Sequence, residues 1–85
     1  MPTRPGQTDP ERAAVWARIR NTVGARVRDL RIERGMTQEQ LALDSGVTRN
    51  VLIDVEHGKR GLLYERLFDL AEALGVHVTE LLNGD

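Results

Sequence analysis

Eighty-five residues, 40% apolar and 29% charged, limit the chain to one small domain that buries only about 60% of its unfolded surface. No cysteine is present, which excludes a disulfide framework and a Cys-based zinc site, and there is neither a long apolar run nor a signal-peptide pattern in the opening MPTRPGQTDP. The net charge of −1 is unevenly spread: residues 1–35 hold eight arginines against four acids, whereas residues 62–85 hold one arginine against five acids. An anionic partner would therefore be met locally, with the acidic end turned away from it.

Residues 1–8 read as a disordered tail. Asp9-Pro10-Glu11 then has the form of a helix start: a capping carboxylate, a proline in the first turn and an acid at the positive end of the dipole. Apolar residues recur at Trp16, Ile19, Val23, Val27 and Leu30, which is helical spacing, and the stripe keeps its phase through Asn21-Thr22. One continuous helix is expected, closed by Gly35. Thr37 and Gln40 make a capping box for a second helix over 37–44, with Leu41 and Ala42 inward. Gly46 supplies the positive φ of a tight turn, Val47 plugs it, and Thr48 caps a third helix over 48–56, with Leu52 and Val55 buried and Gly58 as its stop. A fourth helix over 63–74 is expected to bury Tyr64, Leu67, Leu70, Ala71 and Leu74 before Gly75 ends it. Thr79 to Leu82 adds a last turn, with Val76, Val78, Leu81 and Leu82 apolar. No strand pattern or repeat appears. The expected fold is all-α, a five-helix orthogonal bundle.

Gln38 to His57 thus reads as two short helices joined by a glycine turn, a helix-turn-helix. Its second helix keeps Arg49, Asn50, Ile53, Asp54 and His57 on the face opposite the buried one, with Thr48, Arg49 and Asn50 at the amino end. That is the end a recognition helix pushes into the major groove. Arg49 suits guanine O6/N7, Asn50 suits adenine N6/N7, Ile53 a thymine methyl and Asp54 cytosine N4. Thr48, Arg49, Asn50, Ile53 and Asp54 are accordingly the expected base contacts. Ile53 also admits a protein-binding reading. Trp16 is expected to pack the first helix on the bundle, with a dimer contact as the sharper alternative. Arg18, Arg20, Arg26, Arg28 and Arg34 read mostly as a solvated face, with one or two of them placed to approach DNA. His57 and His77 are isolated, so no metal site is expected, and no nucleophile–base pair or phosphate-binding glycine loop is present. Neither enzyme activity nor a cofactor is expected.

The segment from Val23 to Asn83 resembles the Cro/C1-type, lambda-repressor-like (Xre) helix-turn-helix family. VGARVRDLRIERGMTQEQLA, SGV, VEHGKR and LFDLAEALGVHVTELL carry the likeness. The resemblance implies a structural ion pair between Arg31 and Glu56. It also implies phosphate contacts from Gln38, His57, Lys59 and Arg60, and base reading at Arg49, Asn50 and Asp54. The family's first helix begins near Thr22, so residues 9–22 form a helical extension in front of a DNA-binding domain over 23–83. Three positions depart from the pattern. Ser45 replaces an apolar residue, which predicts looser packing of the second helix; Leu62 replaces a proline; and VLIDV makes the third helix unusually apolar.

The function expected is a sequence-specific DNA-binding transcriptional regulator, a repressor that occupies an operator as a homodimer in the cytoplasm, on the nucleoid and not at a membrane. Val78, Leu81 and Leu82 are the first candidates for the dimer contact, and the extension around Trp16 the second. The alternative is a protein-interaction module on the same scaffold, an antitoxin or a partner of another regulatory protein.

Overall fold

The structure, a computed structural model, describes residues 9–83; the tail over 1–8 lies outside the described residues. Among those residues there are five helices and no strand: α1 (Pro10–Glu33), α2 (Gln38–Ser45), α3 (Arg49–Glu56), α4 (Tyr64–Leu74) and α5 (Thr79–Leu82). The punctuation works as its chemistry requires. The Asp9 carboxylate accepts from the Glu11 N–H at 2.9 Å, with Pro10 in the first turn. Thr37 Oγ1 accepts from the Gln40 N–H at 3.0 Å while Gln40 Oε1 accepts from the Thr37 N–H at 2.8 Å, which closes the capping box. Gly46 takes φ 78°, a left-handed conformation that spares the turn a Cβ clash.

The first helix runs unbroken for 24 residues, about 36 Å at 1.5 Å per residue. Its later turns join the core, in which Val27, Leu30, Leu41, Val47, Leu52, Leu70, Ala71, Leu74 and Leu81 are buried together. Two side chains expected to be merely solvated instead clamp α1 to the rest. Arg26 Nε donates to the Glu80 carbonyl at 2.9 Å, and Arg20 Nε donates to the Gly58 carbonyl at 3.3 Å. Gly24 is buried where α1 crosses α3; a Cβ there would collide with the Val55 carbonyl. No side chain larger than hydrogen fits between these two backbones.

The expected core differs at four places. Tyr64 is exposed: it is the first residue of α4, and Ala71, two turns on and only about 20° around the helix, takes the buried place. Ser45 does not loosen α2. It is buried, its hydroxyl accepts from the Val47 N–H at 3.1 Å, and it thereby satisfies a buried donor in the turn that an apolar residue would leave alone. Leu81 is fully buried and Val78 packs against the core, so of the C-terminal cluster only Leu82 stands out as an exposed large side chain. The two leucines are adjacent on one helical turn and point about 100° apart. Trp16 is 47% exposed: it forms one wall of an apolar groove of about 190 Å³ floored by Val23, Val55, Leu62 and Leu67, and is not enclosed by the bundle.

Candidate nucleic-acid interface

The interface is built on α3, a helix of two turns fixed at both ends. At its amino end Thr48 is extended (φ −65°, ψ 151°), and its hydroxyl accepts from the Val51 N–H at 3.4 Å. On the inner side Leu52, Val55 and Glu56 are buried. At its carboxyl end Glu56 is gripped by Arg31 of α1. Arg31 Nε donates to Oε2 at 2.8 Å and Nη2 to Oε1 at 2.9 Å, a two-pronged contact, while Nη1 donates to the Met36 carbonyl at 2.9 Å. The Glu56 side chain is 2% exposed and that of Arg31 13%. The hydrogen bonds to Glu56 raise the Arg31 pKa above its ordinary value, against the opposing effect of burial, with the Glu56 charge adding to the rise. The pair expected from the resemblance is therefore formed, and it sets the angle and depth of α3 on the scaffold.

Gln38 enters the same network. Its Nε2 donates to Glu56 Oε1 at 3.2 Å, so one of its two amide protons serves the scaffold. Phosphate binding alone is what the resemblance implies for Gln38; its amide at the first position of α2 also serves the ion pair. This leaves one amide proton for a phosphate.

The remaining expected contacts lie along α3 and in the loop after it. Thr48, Arg49 and Asn50 are exposed at the amino end of α3, and Ile53 and Asp54 are half-buried one turn further along. His57, Lys59 and Arg60 are exposed beyond its carboxyl end. Neither Arg49, Lys59 nor Arg60 pairs with a carboxylate; among the described residues the only ion pairs are Arg31–Glu56 and a surface pair, Arg66–Asp69. Beside the capping Thr48, Arg49 and Asn50 thus present hydrogen-bonding groups of both polarities without an internal partner among the described residues, on a helix of the kind a major groove admits. No group of three or more potential metal ligands occurs among the described residues. No helix among them is long and apolar enough to cross a membrane.

A two-turn helix seated by a buried ion pair, preceded by a glycine turn and a partner of equal length, defines a helix-turn-helix regulator of transcription. Residues 27–81 match the family model described as HTH_3, helix-turn-helix, and the chain belongs to that family. It is 39% identical over 64 residues to an uncharacterized HTH-type transcriptional regulator, y4dJ, of Sinorhizobium fredii, covering 75% of this chain and 83% of that one. It is 33% identical over 66 residues to the control protein C.BamHI of Bacillus amyloliquefaciens, covering 76% of this chain and 82% of that one. Among solved structures it is similar to the restriction-modification controller protein C.AhdI of Aeromonas hydrophila, with a TM-score of 0.71, 37% identity, and coverage of 73% of this chain and 94% of that one. The protein is a DNA-binding transcriptional regulator.

Proposed function

We propose that the chain represses transcription by occupying an operator, with Thr48, Arg49, Asn50, Ile53 and Asp54 reading bases and Gln38, His57, Lys59 and Arg60 holding phosphates. The observation that carries this is the amino end of α3: Thr48, Arg49 and Asn50 are exposed together on a helix whose other end is locked by Glu56. A rigid helix presented this way loses little freedom on entering the groove. One module of this size makes few base contacts, so the operator is bound by a homodimer on two half-sites about one helical turn apart. Repression is then steric, in the cytoplasm where the nucleoid lies. The interaction-module alternative is not favoured, because the relatives include an HTH-type transcriptional regulator and a phage transcriptional repressor.

Selection of bound duplexes from a random pool, followed by footprinting, tests the reading. A two-fold repeated sequence should emerge. Arg49→Ala with Asn50→Ala should abolish the preference at about 1–3 kcal/mol per lost two-pronged contact, with thermal stability unchanged. Failure to enrich any sequence would refute base readout. A monomer in sedimentation, both free and on the operator, would refute the dimer.

A further inference from the structure

The extension over the first three turns of α1 is not idle surface. Arg12, Trp16 and Arg20 are four residues apart and share one row of the helix. The Arg12 guanidinium lies 5.1 Å from the centre of the Trp16 ring. Trp16 and Arg20 line the same groove as Arg60, and Arg20 Nε reaches the carbonyl of Gly58, the residue before Lys59. The row therefore runs directly into the loop that carries Lys59 and Arg60. Arg12, Arg20, Lys59 and Arg60 form no ion pair with any described carboxylate, although Asp9 and Glu11 sit in the same first turn as Arg12. Four cations without counter-ions thus follow one edge of the molecule. They do so in a chain whose net charge is −1.

We propose that this row is a second phosphate-contacting track, which extends the DNA contact along the strand beyond the helix-turn-helix. The inference rests on the DNA reading above. From Arg20 to Arg12 the helix rises about 12 Å, so the row is long enough to meet more than one phosphate of a strand. The Trp16 ring holds the Arg12 guanidinium in place, so less side-chain freedom is lost when a phosphate docks. A polyanion is the partner that fits: the row is linear, singly signed and continuous with the loop beside the recognition helix.

The extension also supplies its own control. Arg18 lies about 160° around the helix from Arg20, in a different groove with Val15, Thr22 and Leu82. Arg12→Ala and Arg18→Ala remove the same charge from faces of the helix about 120° apart. Binding of the full chain to a short duplex of random sequence is measured from about 50 to 200 mM salt. Arg12→Ala should reduce the slope of log K against log salt by about 0.9, a roughly 3.5-fold smaller change in affinity over that fourfold range. Arg18→Ala should leave the slope as in the wild type. Arg12→Lys, which keeps the charge, should restore it. A wild-type slope in Arg12→Ala, or equal losses in Arg12→Ala and Arg18→Ala, overturns the track while leaving the DNA reading standing. Salt-independent binding of the wild type overturns both.

Discussion

Replacing Glu56 by alanine would strand a half-buried charge. Arg31 loses both prongs of its contact and keeps only the Met36 carbonyl, and Gln38 loses its partner as well. The Arg31 side chain is 13% exposed, so water does not replace the carboxylate in full. Breaking one side of a buried pair typically costs about 3–5 kcal/mol. A folded region of this size holds roughly 4–11 kcal/mol in all, so the loss is a large share of the total. At about 4–8 °C per kcal/mol for a small domain, Tm should fall by roughly 12–40 °C, read by far-UV circular dichroism. Gln38→Ala removes a single 3.2 Å bond and should cost about 1 kcal/mol. The decisive comparison is Arg31→Met with Glu56→Leu. Removing both charges together should recover most of the loss, because an apolar pair of similar volume is often as stable as a buried ion pair. A loss under about 1 kcal/mol in Glu56→Ala, or a double variant as unstable as the single, would refute the claim that an uncompensated charge is the cause. The double variant should nevertheless bind its operator more weakly if the geometry of α3 depends on the directed bonds of the pair. Affinity measured at a temperature where both proteins are folded separates this effect from stability.

Three further substitutions test the packing. Gly24→Ala improves helix propensity by about 1 kcal/mol but drives a methyl into the Val55 carbonyl, so urea denaturation should show a net loss of about 1–3 kcal/mol; a gain would mean that α1 and α3 do not approach so closely. Ser45→Ala leaves the buried Val47 N–H without its acceptor and should cost about 1–3 kcal/mol, where the apolar residue usual at this position would be expected to help. Thr48→Ala removes the cap of α3 and should lower stability by about 1 kcal/mol; no change would indicate that the 3.4 Å bond contributes nothing.

The local syntax of the chain was legible because it is written within one helical turn. A proline or threonine at a helix start, a glutamine three residues after its cap, and glycine where φ must be positive each act on neighbouring backbone groups. Gly35, Gly46, Gly58 and Gly75 all adopt positive φ, as their places at the ends of helical patterns and in the turn require. The unbroken phase from Trp16 to Leu30 likewise anticipated one continuous α1. The Arg31–Glu56 pair came from the family likeness, since nothing in the spacing of two charges 25 residues apart specifies that they meet.

What the chain alone determined, then, is where helices begin and end and which face of α3 is polar, because these depend on residues one to four positions apart. Tertiary structure decided the rest. Gly24 was one glycine in a helical stripe until the Val55 carbonyl was found against it. Leu81 and Leu82 are equally apolar, and only the docking of α5 buries one and exposes the other. Arg20, Arg26 and Gln38 became clamps because carbonyls and a carboxylate from distant segments arrived within reach. Such choices depend on how helices cross, and the crossing is set by the whole core at once.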